Sequence, residues 1–103
     1  MSVHEVITKQ LADNKVVLYM KGTPAFPQCG FSGKAVQILR ENNVEFFSVN
    51  VLENEEIRQG IKEYGNWPTI PQLYINGELV GGSDIMIAMH QSGELKQILD
   101  ELQ

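Results

Sequence analysis

Cysteine is nearly absent from this sequence, because Cys29 is the one cysteine among 103 residues. A single thiol forms no disulfide within the chain. It also completes neither a four-cysteine zinc site nor one built from paired cysteines and histidines. Two interpretations of Cys29 remain open at this stage. It is either a buried and inert side chain, as free cysteines often are, or a reactive thiol.

Long hydrophobic runs, positive charge and targeting signals are also missing. The apolar runs are short, such as VVLYM at 16–20, so we expect no contact with a membrane. Eight Lys and Arg against thirteen Asp and Glu give a net charge of −5, and without a basic stripe we expect no nucleic-acid partner. The first residues, MSVHEVITKQL, resemble neither a secretory signal nor an arginine-rich transit peptide. We therefore expect a cytoplasmic protein, or an organellar matrix protein whose presequence has been removed.

The hydrophobic pattern predicts a single domain, residues 1–103, in which helices and strands alternate. An Asn-Gly pair between two apolar runs predicts a β-hairpin, because both turn residues need positive φ. The strand–helix–strand order before it predicts a right-handed parallel unit. We expect an α/β fold with a mixed four-stranded sheet, helices on both of its faces and an extra N-terminal helix. The predicted elements are a helix within 3–13, strand 15–21, helix 33–41, strand 45–51, helix 53–65, the hairpin around 76–77, and a helical region 84–102 broken near 91–94.

Cys29 falls at the end of the loop GTPAFPQCG, after the first predicted strand and just before the second predicted helix. Ligands of open α/β sheets favour this edge. The start of a helix offers unpaired N–H groups and the positive end of a dipole, and both stabilise a thiolate over a thiol. Lys21, at the end of the strand, adds a positive charge close by. This position favours the reactive interpretation of Cys29.

Two further stretches have features of a ligand site. In NWPTIPQ, the Ile70-Pro71 bond lies where a loop enters a strand. It is either cis, which would expose the backbone of Ile70 to a ligand, or part of a rigid trans loop. In GGSD, Gly82 would admit a close ligand, and Ser83 is predicted to cap the last helix with Asp84 in its first turn. The N–H groups of this turn either receive a simple cap or hold a carboxylate or phosphate.

The remaining cationic and histidine side chains have simpler interpretations. Arg58 and Lys62 are four residues apart on the third predicted helix, beside its apolar stripe. They form either a cationic ridge or an ordinary solvated face. His4 and His90 lie in predicted helices rather than in a loop near Cys29, so we expect no cysteine–histidine catalytic pair.

Taken together, KGTPAFPQCGFSGKAV, NWPTIPQLYINGELVGGSD and the helical remainder resemble the monothiol glutaredoxins of the CGFS type. The likeness covers nearly the whole chain, and the motifs occur in order and at suitable spacing. The resemblance implies a thioredoxin-like fold in which Pro71 is the cis proline.

The resemblance also implies a groove for the tripeptide glutathione beside Cys29. The glycyl carboxylate of glutathione would meet Lys21 and Arg58. Its cysteinyl backbone would pair with the backbone at Ile70. Its γ-glutamyl end would meet the turn of the GGSD motif. The other residues implied to bind glutathione or to shape its groove are Thr69, Pro71, Gly82, Ser83 and Asp84, with Lys62 a weaker assignment and with Trp67 and Phe31 expected to shape the nearby surface.

Two functions follow from the lone thiol and the implied groove. A 2Fe–2S cluster needs four ligands, and Cys29 from each of two chains plus two glutathione thiolates would supply them. The holo form would then be a homodimer that transfers its cluster to apo iron–sulfur client proteins, with a BolA-like protein as a further partner. The alternative is a glutathione-dependent thiol–disulfide oxidoreductase that removes glutathione from mixed disulfides by a monothiol mechanism. Ser32 replaces the second thiol of a C-x-x-C motif, so a dithiol mechanism is excluded.

Overall fold

The computed structural model describes residues 1–102, and its centre is a sheet of four strands. The strands are β1 (Val16–Met20), β2 (Phe47–Asn50), β3 (Gln72–Ile75) and β4 (Glu78–Gly81), in the spatial order β2-β1-β3-β4. β1 pairs parallel with β2 and antiparallel with β3, which pairs antiparallel with β4. The predicted mixed four-stranded sheet is therefore confirmed.

Five α-helices surround the sheet. They are α1 (Val3–Asp13), α2 (Gly30–Glu41), α3 (Glu55–Tyr64), α4 (Ser83–Ser92) and α5 (Glu94–Asp100), with a short 3₁₀ turn at Val51–Glu53. Alternate residues of the strands point to opposite faces. One face packs against α1 and α3 through a cluster that includes Val17, Tyr19 and Tyr74. The other packs against α2, α4 and α5 through a cluster that includes Leu18 and Leu73. The prediction of helices on both faces, with an extra helix at the N-terminus, is also confirmed.

The turns that connect these elements use the residues their geometry needs. Asn76 and Gly77 have φ values of 52° and 80°, and they join β3 to β4 as the predicted hairpin. Gly93 has a φ of 85° and separates α4 from α5, at the predicted break. No helix among residues 1–102 combines the length and the apolar character that crossing a membrane requires.

Several predicted boundaries were wrong, and each error has a physical reason. Helix α2 begins at Gly30 rather than at 33, because its first turn carries no periodic apolar residues that could reveal it. The predicted strand 45–51 is shortened to β2, since Val51 already belongs to the 3₁₀ turn. Helix α3 begins at Glu55, where the side chain of Asn54 accepts a hydrogen bond from the N–H of Ile57 and so caps the helix.

Candidate functional site

Cys29 is the N-cap residue of α2, with extended backbone angles and a partly exposed side chain. The first backbone hydrogen bond of the helix runs from the N–H of Gly33 to the carbonyl oxygen of Cys29, at 2.9 Å. The three N–H groups between these residues have no partner within the helix. The thiol therefore lies at the positive end of the α2 dipole.

The surroundings of Cys29 lower the pKa of its thiol. The backbone N–H of Ser32 has the largest effect, and the N–H of Phe31, the hydroxyl of Ser32 and the charge of Lys21 add to it. Partial burial of the sulfur opposes them. The sulfur does not make a capping hydrogen bond of strict geometry. The arrangement favours a thiolate, which is the nucleophilic and metal-binding form of cysteine.

Ser32 has a structural role that the sequence analysis missed. Its side chain is fully buried, and its hydroxyl oxygen accepts a hydrogen bond from the backbone N–H of Lys21 at 3.0 Å. This bond joins the end of β1 to the first turn of α2. The signal in the sequence is a small hydroxyl residue three positions after Cys29. The sequence analysis interprets this residue only as the absence of a second thiol.

The loop between β1 and Cys29 is held together by its own backbone. The N–H of Gln28 donates to the carbonyl of Lys21 at 2.9 Å, and the N–H of Phe26 donates to the carbonyl of Thr23 at 3.0 Å. Gly22 has a φ of 92°, and a β-carbon on it would lie 2.5 Å from the carbonyl oxygen of Phe26. Position 22 therefore accepts glycine only.

Asn50, at the end of β2, anchors this loop from outside and was also missed. Its side-chain oxygen accepts hydrogen bonds from the N–H groups of Gly22 and Leu52, both at 3.0 Å. No motif marks the position, because the contact joins residues that are 28 positions apart in the chain. The loop presents Phe26 at its tip, and Phe31 is exposed on the other side of Cys29.

A groove of about 330 Å³ lies beside this helix start. The Ile70-Pro71 bond in its wall is cis, as the resemblance implies. Six of the residues predicted to bind glutathione come together there, although they belong to three separate stretches of the chain. The lining consists of Lys21, Phe31, Lys62, Pro68, Thr69, Ile70, Pro71, Ser83 and Asp84.

The two cations of α3 differ in their position relative to this groove. Lys62 lines the groove. Arg58 does not belong to its lining, and its guanidinium lies 3.9 Å from the carboxylate of Glu55. The resemblance implies that Arg58 binds glutathione, with Lys62 a weaker assignment, and which of the two contacts it stays a prediction. Positions 58 and 62 are one helical turn apart on the same face of α3, so the sequence alone does not show which of them reaches the groove. In the structure, Lys62 lines it.

The start of α4 corrects a predicted cap. Gly82, and not Ser83, is the N-cap residue, and no side chain caps this helix. The turn is tight, since a β-carbon on Gly82 would lie 3.3 Å from the indole nitrogen of Trp67 and 3.4 Å from the carbonyl oxygen of Pro71. Ser83 is instead the first helical residue and lines the groove with Asp84. The N–H groups of this helix start therefore lack a side-chain cap at the edge of the groove.

Both histidines have partners outside the site. The ring of His4 packs against that of Tyr64, with centroids 4.9 Å apart. The ring of His90 contacts the carboxylate of Glu41 at 2.9 Å and the side-chain amide of Asn42 at 3.3 Å, at the end of α2 opposite Cys29. The expectation of no cysteine–histidine pair is consistent with these contacts. Within residues 1–102, no three side chains of His, Cys, Asp or Glu gather as a metal site.

A thiol at a helix start, together with a cis proline before a strand of a mixed four-stranded sheet, is typical of the thioredoxin-like class of proteins. Residues 16–80 match the family model described as Glutaredoxin. This chain therefore belongs to the glutaredoxin family, and its similar relatives are monothiol members.

Two curated relatives and one solved structure illustrate this similarity. Monothiol glutaredoxin-5, mitochondrial, of Schizosaccharomyces pombe is 55% identical over 101 residues, which cover 95% of this chain and 69% of the relative. An uncharacterized monothiol glutaredoxin ycf64-like protein of Synechocystis is 57% identical over 94 residues, covering 91% and 88%. The solution structure of reduced poplar apo GrxS14 is 55% identical, covers 94% of this chain and 89% of that one, and superposes with a TM-score of 0.83.

Proposed function

We propose that the groove beside Cys29 binds glutathione. The lining of the groove carries charges of both signs, which suits this tripeptide. Lys21 and Lys62 are available for its glycyl carboxylate. Asp84 and the uncapped start of α4 suit the free amino group and carboxylate of its γ-glutamyl residue. Ile70 belongs to the same lining, and an extended peptide could pair with its backbone as a short strand.

The function we propose is to carry a 2Fe–2S cluster as cargo and to transfer it to apo iron–sulfur proteins. One chain offers one thiolate, Cys29, and its described residues gather no further ligand set. Two chains and two bound glutathione molecules would together supply the four thiolates that such a cluster uses. The cluster-bound form is then a homodimer. A BolA-like protein is the further partner we propose, in the cytosol or in an organelle matrix.

The single observation that supports this proposal is a lone thiol of lowered pKa at the start of α2, two residues before Phe31, which lines a groove of about 330 Å³. Anaerobic reconstitution with iron, sulfide and glutathione, followed by absorption spectroscopy and size-exclusion chromatography, tests it. We expect a coloured dimer that becomes a colourless monomer when glutathione is omitted. Cys29→Ser is the matched control and should stay colourless. A colourless wild type, or a cluster retained by Cys29→Ser, would contradict the proposal.

Glutathione-dependent reduction of mixed disulfides is the second candidate, and the partial exposure of Cys29 favours it. The Cys29 thiolate would attack the glutathione sulfur of a protein–glutathione disulfide. The protein thiolate then leaves and takes up a proton, and Cys29 carries the glutathione. A second glutathione thiolate attacks this new disulfide, releasing oxidised glutathione and restoring the Cys29 thiolate.

A glutathione-coupled reductase assay on a small mixed disulfide separates the two candidates. We expect slow turnover, because cluster carriage is the proposed main function. Turnover as fast as that of a dithiol glutaredoxin measured in parallel would make the oxidoreductase the main function. Cys29→Ser is again the control, since it removes the nucleophile and should abolish any turnover.

A further inference from the structure

Gln72 is a polar side chain without access to solvent, at the start of a central strand. Among the described residues, Ser32 is the other buried polar side chain. Burying an amide costs free energy unless its N–H and carbonyl groups find partners. The hydrogen-bond partners of Gln72 therefore indicate the role of a glutamine at this position.

The partners of the Gln72 amide belong mainly to the loop that precedes β3. Its nitrogen donates to the carbonyl oxygens of Trp67 at 3.0 Å and Thr69 at 3.2 Å. Its oxygen accepts from the hydroxyl of Tyr74 at 3.0 Å. Gly65 leaves room for this arrangement, because a β-carbon there would overlap the hydroxyl of Tyr74. The amide ties two residues of the loop to the centre of the sheet.

The bond to Thr69 has a consequence for the neighbouring residue. The peptide between Thr69 and Ile70 is trans, and in a trans peptide the carbonyl and the N–H point in opposite directions. Because the carbonyl of Thr69 points to the buried amide of Gln72, the N–H of Ile70 points away from it. None of the backbone hydrogen bonds made by the described loops uses this N–H. Gln72 is buried outside the groove that Ile70 and Pro71 line, so an N–H that points away from Gln72 is directed toward the side of the groove.

We infer that Gln72 is a positioning residue of the groove, whose buried amide orients the Thr69–Ile70 peptide so that the N–H of Ile70 can pair with an extended peptide ligand. The inference rests on the proposed function, in which that ligand is glutathione. Gln72 is not part of the groove lining, and it acts through the carbonyl of Thr69.

Two variants of the full chain test this role. Gln72→Met keeps the length of the side chain and removes both donors. Tyr74→Phe is the matched control, because it breaks the bond to the Gln72 oxygen and leaves both donor bonds in place. The Kd for glutathione is measured by calorimetry well below the Tm of both variants. In Gln72→Met it should rise roughly tenfold, because the ligand loses about one hydrogen bond. Tyr74→Phe should leave the Kd unchanged.

A purely structural Gln72 would give a different pattern. Both variants would then lower Tm, and neither would change the Kd for glutathione, which would overturn the inference. A wild-type protein that does not bind glutathione would instead contradict the proposed function. Nuclear magnetic resonance then decides the role of Gln72, because Gln72→Met should change the shift and exchange rate of the Ile70 amide. An Ile70 amide that is the same in Gln72→Met and wild type would overturn the inference.

The wild-type protein gives a further measurement, which applies even if Gln72→Met does not fold. Coupling between two sites is reciprocal, so bound glutathione should strengthen the bond from Gln72 to Thr69. We expect the side-chain amide hydrogens of Gln72 to exchange more slowly with glutathione present, by up to about the tenfold factor predicted for the Kd of Gln72→Met. The amide of Asn42, which donates to the carbonyl of Ile38 at the far end of α2, is the control and should not change. Equal exchange rates at Gln72 with and without glutathione would overturn the inference.

Discussion

Two fully buried polar side chains, Ser32 and Gln72, lie behind different walls of the site. Ser32 lies behind the wall that carries Cys29, where its hydroxyl joins the backbone of Lys21 to the start of α2. Gln72 lies behind the wall that carries the cis proline, where its amide holds two loop carbonyls. Each wall therefore has one fully buried polar side chain behind it.

The two walls differ in what their buried group can influence. The hydroxyl and N–H of Ser32 help to lower the pKa of the Cys29 thiol, so a change there alters reactivity. Gln72 contacts only backbone and Tyr74, so a change there alters the shape of the groove. The comparison assigns reactivity to one wall and ligand affinity to the other, and substitutions on either wall can test this division.

The largest expected effect is that of Gly22→Ala in the wall of Cys29. A β-carbon would be 2.5 Å from the carbonyl oxygen of Phe26 at a φ of 92°. Strain and overlap together should lower the free energy of unfolding by about 3 kcal/mol or more. Gly82→Ala in the other wall is the matched variant, with negative φ and contacts of 3.3 Å, and should cost about 1 kcal/mol. Urea denaturation measures both, and equal losses would contradict the expectation that position 22 tolerates a β-carbon less well than position 82.

Ser32→Ala should have the next largest effect, and it should change the thiol. Removing the hydroxyl leaves the partly buried N–H of Lys21 without its partner, which costs about 1–3 kcal/mol of stability. It also removes one of the groups that lower the pKa of Cys29, so that pKa should rise. The pH dependence of iodoacetamide alkylation measures this shift. Gln72→Met is the control from the other wall and should leave the alkylation profile unchanged. An alkylation profile that shifts equally in both variants would contradict the assignment of reactivity to the wall of Cys29 alone.

The sequence was sufficient to predict the elements of this fold and most of the groove. Short apolar runs, helical periodicity and the Asn76-Gly77 turn are local signals, and the structure confirms the strands, the hairpin and the helices that they predicted. The cis bond at Pro71 and the meeting of Lys21, Thr69 and Asp84 were not local signals. They followed from the resemblance of whole motifs to a known family, and the structure brings these residues together.

What the sequence could not predict are contacts between distant residues and choices between neighbouring ones. The side chain of Asn50 bonds to the N–H of Gly22, which is 28 positions away in the chain. No sequence pattern predicts the hydrogen-bond partner of a side-chain amide in a strand. For the same reason, the sequence analysis did not single out Gln72. The cap of α4 falls on Gly82 rather than Ser83, because the close packing of Trp67 and Pro71 against the turn outweighs the general preference for serine.

Smaller effects are expected from the cations of the groove. Lys21→Ala and Lys62→Ala should each weaken glutathione binding by roughly 1–3 kcal/mol, the scale of a charge-assisted hydrogen bond. Arg58→Ala is the matched control, because its guanidinium lies beside Glu55 and outside the lining of the groove. Calorimetry with glutathione measures all three. A larger loss for Arg58→Ala than for Lys62→Ala would show that bound glutathione reaches further along α3 than the groove does.

The smallest expected effect concerns the pH dependence of stability. The pKa of Cys29 is lowered in the folded protein, so the folded state releases this proton more readily than the unfolded state. The resulting stability is fully present above the unfolded thiol pKa and is lost as the pH falls through the folded pKa. Relative to Cys29→Ser, the wild type should therefore gain stability as the pH rises between these two values.

Denaturation of both proteins at about pH 6 and about pH 9 measures this difference. Burial raises the pKa values of Tyr19 and Tyr74, the latter to about 12, and such groups destabilise the fold at high pH. Because both proteins contain the same tyrosines, this contribution cancels in the comparison. A stability difference that is independent of pH would mean that the wall behind Cys29 does not favour the thiolate, and that its reactivity comes from exposure alone.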